Sequence, residues 1–245
     1  MSSKEIRVKQ NTKEWREWRN KGLGASDAPI VMGVSPWTSR FELWSYKTGL
    51  IQRSEPNGFQ VAAMQRGHDL EPEARRRAEE VYLKAKFPAT SFEHSEHSFL
   101  RASLDGYNAE TNSNLEIKCP GKADHQTALE GRVPKKYIPQ IQMQMLVSGA
   151  HLTYYFSWDG KDSDILITVQ EDKRYQEVLL QEMRSFWNLI QSGVPPEISE
   201  KETKQLLSQL EKDIIKITQS VKALSYIVNK QPAPALDGDG FAKVS

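Results

Sequence analysis

A short segment near the middle of the chain, SLDGYNAETNSNLEIKCP (103–120), constrains the fold more than any other. In its second half Leu115 and Ile117 alternate with Glu116 and Lys118, which is the two-residue period of a strand. Successive side chains of a strand point to opposite faces, so the glutamate and the lysine share one face while the apolar residues bury the other. The sequence therefore predicts a strand that carries a carboxylate and an ammonium on one surface.

Asp105 adds a second carboxylate to this surface. If the segment that ends at Leu104 pairs antiparallel with strand 113–118, Asp105 lies beside Glu116. Two neighbouring carboxylates repel each other and favour a hard divalent cation such as Mg²⁺. Such a cation can activate a water and stabilise charge on a phosphoryl oxygen, while Lys118 orients the water or helps to deprotonate it. The expected chemistry is phosphodiester hydrolysis; the alternative is a surface hairpin whose charges face water.

The composition is that of an ordinary globular chain of 245 residues, 38% hydrophobic with six tryptophans, enough for one domain or one domain with an appendage. No apolar run approaches the roughly 18 residues of a membrane span, and the first ten residues lack a secretory signal. We therefore expect a cytoplasmic protein with no membrane partner. The single cysteine, Cys119, excludes an intramolecular disulfide and a cysteine-cluster zinc site. With a net charge of +1, a nucleic-acid partner would need a local basic surface.

Local patterns predict an α/β fold with a central mixed, mainly antiparallel sheet flanked by helices. Ser26 is expected to cap a helix that has Pro29 in its first turn. Asp159-Gly160 is expected to join two strands as a hairpin. Of Trp15, Trp18, Trp37 and Trp44, most are expected in the core. Helices are predicted over 12–20, 39–47, 58–84, 134–148 and 171–192, and strands over 90–94, 97–104, 113–118, 151–158 and 164–170.

The composition changes beyond Pro195-Pro196. Ser199 and Glu202 form a capping box, which predicts a helix that reaches Asn229. Its apolar residues alternate three and four positions apart, so it carries a heptad stripe that packs on its own domain or forms a coiled-coil or partner contact. The stripe consists of Leu207, Leu210, Ile214, Ile217, Val221, Leu224 and Val228. We expect a domain over 1–195, this helix over 196–230 and a flexible tail over 231–245.

Two further blocks flank the opening segment. QRGHDLEPEARRRAEE places Glu71 on the long helix, where it can supply a third acid from above the sheet. KKYIPQIQMQM places Tyr137, Gln140 and Gln144 along one helical face, because residues three and four apart are neighbours on a helix.

With these blocks in place, the sequence resembles the lambda-type phage alkaline exonucleases, or YqaJ-like viral recombinases, of the PD-(D/E)xK nuclease superfamily. The matching blocks are WREWRNKGLGASDAP, RGHDLEPEAR, SLDGY with LEIKCP, and YIPQIQMQM. They occur in the family's order over residues 15 to about 190. The resemblance implies a restriction-endonuclease-like core, and it leaves the last fifty or so residues outside the pattern.

The resemblance also assigns roles at the site. Metal ligands are expected at Asp105, Glu116, Glu71 and the Ile117 carbonyl. Lys118 matches the catalytic lysine. The remaining matches are Gln140, beside the attacking water, and Tyr137, one turn before it.

A second set of residues would hold the DNA. Arg19 and Ser26 match the pair that grips a terminal 5′-phosphate, and a serine at a helix N-terminus suits an anion; plain N-capping is the alternative for Ser26. Met64 falls where the family has an apolar wedge, or is a core methionine. Other basic residues are plausible backbone contacts or solvated charges. These are Lys122, Arg66, Lys135 and Lys136.

The implied activity is processive 5′-to-3′ digestion of one strand of linear duplex DNA to mononucleotides. It would use Mg²⁺, or Mn²⁺, with one or two ions per site. A 3′ single strand would remain for a single-strand annealing protein, and a homotrimeric ring would enclose the DNA in a bacterial host of phage or prophage. A site-specific endonuclease with the same metal site is one alternative, and a noncatalytic DNA-end-binding protein is another. Cutting of closed circles would indicate the first, and metal binding without turnover the second.

Overall fold

The computed structural model describes residues 3–51 and 58–198, and beyond them seven helical positions between Thr203 and Ser220. Contacts divide the chain into two units, Met1–Pro196 and Glu197–Ser245. Apart from those seven positions, the predicted heptad helix and the tail over 231–245 lie outside the described residues. The three-part domain division stays a prediction.

The helices of the first unit coincide largely with the predicted ones. The predicted helix over 58–84 ends as an α-helix at Arg77 and continues as a π-helical segment, Ala78–Leu83. The segment Lys122–Leu129 was not predicted. The α-helices are α1 (Lys13–Asn20), α2 (Ala28–Val31), α3 (Arg40–Lys47), α4 (Gly58–Arg77), α5 (Lys122–Leu129), α6 (Ile138–Ser148) and α7 (Lys173–Ser192).

Within residues 3–51 and 58–198, the strands form two four-stranded sheets. They are β1 (Lys4–Ile6), β2 (Leu23–Gly24), β3 (Thr90–Glu93), β4 (Leu100–Leu104), β5 (Gly106–Asn108), β6 (Ser113–Lys118), β7 (Leu152–Trp158) and β8 (Asp164–Gln170). The orders are β1-β3-β4-β2 and β5-β6-β7-β8. Among the described strands, only the pairs β2–β4 and β6–β7 are parallel, and the other pairs are antiparallel. The mixed, mainly antiparallel α/β class is confirmed, with two sheets where one was expected.

Helix α6 lies between the cores of the two sheets. Met143 and Val147 pack in the cluster that contains Leu104 and the other buried residues of the first sheet. Ile141 and Met145 pack with Tyr155 of β7. Because β6 and β7 are parallel, the chain must cross over between them, and α5 and α6 form that crossover. This position places the side-chain amides of Gln140 and Gln144, both on α6, over β6.

One strand pairing differs from the prediction, and the predicted hairpin is present. Strand β4 does not pair with β6; it pairs with β3, while the three-residue β5 pairs with β6 through Gly106↔Leu115. The predicted antiparallel pairing of β4 with β6 was wrong because the chain passes from the first sheet to the second at Asp105. The β7–β8 hairpin is present, with a five-residue connection from Asp159.

The predicted helix cap at Ser26 is also wrong. Ser26 lies inside a 3₁₀ turn, Ala25–Asp27, and α2 is only one turn long. The carboxylate of Asp27 accepts the Gly24 N–H at 2.9 Å and pairs with the Lys47 ammonium at 3.1 Å. Asp27 therefore organises this turn, because its buried carboxylate bonds back to the Gly24 N–H and pairs with Lys47.

The tryptophans divide unequally between core and surface. Trp15 and Trp44 are buried and Trp18 is partly buried, as expected. Trp37 is 65% exposed, so the expectation of a core position fails for this residue.

Among the described helices, none is both long and apolar enough to cross a membrane.

Candidate active site

Asp105 is the single residue that connects β4 of the first sheet to β5 of the second. The next residue, Gly106, lies against Phe87 so closely that a Cβ would be 2.6 Å from the Phe87 Cβ and 2.8 Å from its carbonyl oxygen. Only glycine fits at such a close approach. The contact fixes where the chain turns, and with it the position of the Asp105 carboxylate.

The Asp105 side chain reaches the backbone of β6. Its Oδ2 accepts the Ile117 N–H at 2.8 Å. The N–H and C=O of one strand residue point to the same side, so the Ile117 carbonyl also faces Asp105. The structure thus brings two of the predicted ligands together by a contact that the sequence did not predict.

Glu116 is 1% exposed, and α6 fixes both of its oxygens. Gln140 Nε2 donates to Oε1 at 2.8 Å, and Gln144 Nε2 donates to Oε2 at 2.6 Å. The Lys118 ammonium forms an ion pair with Oε1. A buried carboxylate needs such partners to offset its desolvation. Gln144 was missed as a site residue, although its spacing of four from Gln140 placed both on one helical face.

Lys118 lies between Glu116 and the ring of Tyr137, with its Nζ 5.3 Å from the ring centroid. Burial alone would lower the pKa of Lys118, but the Glu116 and Asp105 carboxylates outweigh burial and raise the pKa above its ordinary value. Tyr137 donates its hydroxyl to Asp124 at 3.3 Å, and burial raises the pKa of Tyr137 to about 12. The lysine is therefore held as a cation at the predicted site.

The carboxylates carry an excess of negative charge that suits a divalent cation. Burial, with the Glu116 charge adding to it, raises the pKa of Asp105 to about 7. The donor set, two carboxylates and the Ile117 carbonyl, consists of the oxygen ligands that Mg²⁺ and Mn²⁺ prefer. These residues fit the expected metal.

The third acid is placed differently. Glu71 is held by Arg75 at 2.9 Å and its side chain is 41% exposed. Arg75 also donates to the Asp105 carbonyl oxygen and, at 3.0 Å, to that of Phe87. Within the described ranges, no three Asp, Glu, His or Cys side chains are grouped as a metal cluster. Glu71 is near the site, but Arg75 holds its carboxylate.

Arg19 and Ser26 are in contact, as the phosphate pair requires. The Arg19 guanidinium donates to the Ser26 hydroxyl and lies 5.0 Å from the centroid of the Trp15 ring. Ser26 is exposed. Because α2 is a single turn, the helix-dipole part of the phosphate argument has little support; the guanidinium and the hydroxyl remain.

Three other candidate DNA contacts lie on helices α4 and α5 and do not touch Arg19 or Ser26. Met64 is 67% exposed on α4, so the alternative of a core methionine is wrong. Lys122 is exposed at the first residue of α5. Arg66 donates to the carbonyl oxygens of Cys119, at 2.8 Å, and Asp159, and so ties α4 to the end of β6 and to the β7–β8 connection.

His125 was missed entirely, since α5 itself was not predicted. It is buried, with one ring nitrogen 2.9 Å from the Ser157 hydroxyl and the other 3.0 Å from that of Ser163. Ser157 is the β7 residue opposite Lys118. His125 thus anchors α5 beside the lysine.

Known proteins are similar to this chain in sequence and in fold. The Bacillus subtilis (strain 168) protein YqaJ, itself uncharacterised, is 28% identical over 178 residues, 71% of this chain and 55% of YqaJ. The chain spans about half the length of that relative. The alkaline exonuclease LHK-Exo of Laribacter hongkongensis is 25% identical, with a TM-score of 0.64 over 81% of this chain and 100% of LHK-Exo. Its complex with dAMP gives a TM-score of 0.65 with the same identity and coverage. The model of the YqaJ-like viral recombinase domain matches residues 14–151, more than half of the chain, and the chain belongs to that family.

Proposed function

We propose that this chain is a divalent metal-dependent exonuclease that digests the 5′-ended strand of linear double-stranded DNA to mononucleotides. The observation that carries the proposal is that Asp105 accepts the Ile117 N–H where the two sheets meet, between the paired residues Glu116 and Lys118 of the same strand. Membership of a viral recombinase family supports it, and so does the similarity to an enzyme described as an alkaline exonuclease.

In this proposal Asp105, Glu116 and the Ile117 carbonyl hold Mg²⁺ or Mn²⁺, one ion or two, with Glu71 contributing once Arg75 releases it. When bound, the cation supplies charge stabilisation at the scissile phosphate and makes a water easier to deprotonate. Asp105 and Glu116 are already fixed by backbone and amide donors, so little reorganisation is needed.

The remaining steps belong to side chains around the phosphate. The Lys118 ammonium stabilises negative charge that develops on the phosphoryl oxygens and orients the attacking water. Gln140 uses an amide N–H on Glu116, so its amide oxygen is available to accept a hydrogen bond from that water. Tyr137 packs on the lysine and limits its movement.

Strand polarity rests on a different pair. Arg19 can bind a terminal 5′-phosphate through two parallel N–H donors while Ser26 donates its hydroxyl. The contact between these side chains supports a joint role. Met64 and Lys122 are proposed to contact the DNA near its separating end.

The wider biology is proposed from the family. The chain would act as a trimeric ring in the cytoplasm of a bacterial host, and enclosure of the duplex would make digestion processive. A 3′ single strand would then pass to a single-strand annealing protein during recombination.

The proposal is tested by digestion of linear duplex with Mg²⁺. Ends with 5′-phosphate and 5′-hydroxyl are compared, a covalently closed circle is included, and Lys118→Ala is compared with Lys173→Ala, which removes an exposed lysine of α7. We expect mononucleotides to be released faster from phosphorylated ends, no action on circles, and loss of activity only in Lys118→Ala.

Other outcomes identify the rivals. Cutting of closed circles would indicate an endonuclease. Binding of DNA ends and metal without any hydrolysis would indicate a noncatalytic end-binding protein. Indifference to the end phosphate would remove the role given to Arg19 and Ser26 alone.

A further inference from the structure

We propose that Trp37, with Lys136 against one face of its ring, is a stacking site for a nucleobase of the bound DNA strand. The inference rests on the proposed function and adds a DNA contact beside the Asp105, Glu116 and Lys118 group. None of the sequence expectations assigned Trp37 to the DNA.

The Trp37 ring is presented to solvent by an anchored loop. Its side chain is 65% exposed, whereas Trp15, Trp44 and Trp158 are at most 8% exposed. The Ser35 hydroxyl accepts the N–H groups of Trp37 and Thr38, both at 3.3 Å. The N–H of Ser35 also bonds the Pro29 carbonyl at 3.0 Å. An aromatic ring that is exposed on a fixed backbone loses little conformational freedom when a flat ligand binds it.

Lys136 occupies one face of this ring. Its Nζ is 4.4 Å from the Trp37 centroid and 5.3 Å from that of Tyr137. Asp124 holds the same ammonium at 2.7 Å. A cation at this distance is attracted by the ring and keeps the indole in place. The side chain remains 65% exposed beside this cation, so a flat ligand can still reach the indole.

The stacking site lies close to the catalytic lysine. The Tyr137 ring has Lys136 at 5.3 Å and Lys118 also at 5.3 Å. Trp37, Lys136, Tyr137 and Lys118 thus form one series of alternating rings and cations. Bases along one strand of a duplex rise 3.4 Å each, so a strand with its phosphate at Lys118 can place a base a few nucleotides away on Trp37.

The chemistry of this surface fits a nucleotide better than a second protein. A nucleobase offers a flat π face and its backbone offers an anion, which match the indole and the neighbouring ammonium. A contact between protein copies would need a contiguous apolar patch. The residue that covers the Trp37 ring is a lysine, and the residue before it, Lys135, is exposed.

The test measures coupling between Trp37 and one base. All variants carry Lys118→Ala, so that DNA stays intact in Mg²⁺, and binding is followed by fluorescence anisotropy. The ligands are linear duplexes with a single abasic residue at each of the first six positions of either strand. Trp37→Ala and Trp37→Phe are compared with Leu50→Ala, which truncates a side chain that is 64% exposed.

We expect Trp37→Ala to weaken binding of intact duplex about 5- to 100-fold, Trp37→Phe to weaken it less, and Leu50→Ala to have no effect. An abasic residue at one position should weaken DNA binding by the parent Lys118→Ala chain by a similar factor. The same abasic residue should not weaken binding further when Trp37→Ala is also present.

Three results would overturn the site: no binding of intact duplex by the parent, unchanged affinity in Trp37→Ala, or abasic effects that persist undiminished in that variant. A lower native mass of Trp37→Ala in light scattering, with lost binding, would assign the ring to a contact between copies. Digestion by the otherwise wild-type chain separates the two proposals. Coupling at Trp37 without any digestion would refute the proposed function and leave the stacking site intact.

Discussion

At the scale of single residues, the Glu116 carboxylate is oriented by neutral amide groups as well as by an opposite charge. Lys118 offers the opposite charge, but Gln140 and Gln144 determine where the two oxygens point. That Glu116 and Lys118 share a face follows from the strand period alone. The donors could not be assigned from sequence, because no local pattern says that α6 lies over β6.

Gln144→Met should lower kcat about tenfold or more with a smaller change in KM. The substitution keeps the volume but removes a donor 2.6 Å from Glu116 Oε2, so the carboxylate is no longer fixed. Steady-state kinetics on linear duplex measure the effect, and Gln181→Met on the exposed side of α7 is the control. An equal loss in both variants would contradict a positioning role.

Asp105→Asn should stabilise the metal-free protein by about 1–4 kcal/mol near pH 8, since each unit by which burial raises a carboxyl pKa corresponds to about 1.4 kcal/mol. The folded-state pKa of Asp105, about 7, lies above the ordinary value. The stabilising contribution of the protonated Asp105 carboxyl is therefore fully present at acid pH and is lost as the pH rises through 7. The gain in the asparagine variant should shrink near pH 5 in urea denaturation. Added Mg²⁺ should stabilise the wild type more than the variant; equal responses would argue against Asp105 as a ligand.

His94 should make the protein less stable on acidification. Its Nδ1 accepts the N–H groups of Glu96 and His97, both at 3.2 Å, and burial with the neighbouring His97 lowers the pKa of His94. The unfolded chain binds the proton more tightly, so the free energy of unfolding falls as the pH falls from about 6.5 towards the folded pKa. His94→Asn keeps an acceptor for the turn, so the free energy of unfolding of this variant should fall less between pH 7 and 5. Urea titrations between pH 7 and 5 measure it. The same slope in wild type and variant would be the contrary result, with exposed His68→Asn as the control.

At the scale of elements, length decides what the sequence can reveal. The helices α1, α3 and α7 and the strands β6, β7 and β8 are long enough to show a period or a cap, and they were predicted. Strands β1, β2 and β5 have two or three residues, too few to show alternation. Missing β5 led directly to the wrong partner for β6. The cap predicted at Ser26 was wrong for a different reason: Ser26 lies inside a 3₁₀ turn that Asp27 closes through the Gly24 N–H.

Gly106→Ala should destabilise the fold by about 1–3 kcal/mol and reduce nuclease activity by more than the stability loss explains. The new methyl group would meet Phe87 at 2.6 Å and displace the chain next to Asp105. Gly67→Ala is the matched control, because nothing lies within 4 Å of its Cβ on α4 and alanine favours a helix. Thermal denaturation and digestion rates are compared. Unchanged thermal stability and digestion rate in Gly106→Ala would contradict this prediction and mean that β5 can shift to accommodate the methyl group.

At the scale of the whole molecule, the proposed ring predicts a mass and a kinetic behaviour. Light scattering should give three times the 28.0 kDa of one chain. Digestion of a long duplex should continue after an excess of unlabelled competitor DNA is added, because an enclosed duplex is not exchanged. A monomer, or immediate arrest by the competitor, would refute the ring and leave the chemistry of the site untouched.

The hydrogen bond from the Ile117 amide to Asp105 has a consequence for measurement. This amide proton is protected only while the residue that links the two sheets holds its carboxylate against β6. Its rate of exchange with deuterated solvent would report, without substrate or cofactor, how often the junction opens. The chain thus carries a native isotope-exchange reporter at the position where its chemistry is expected.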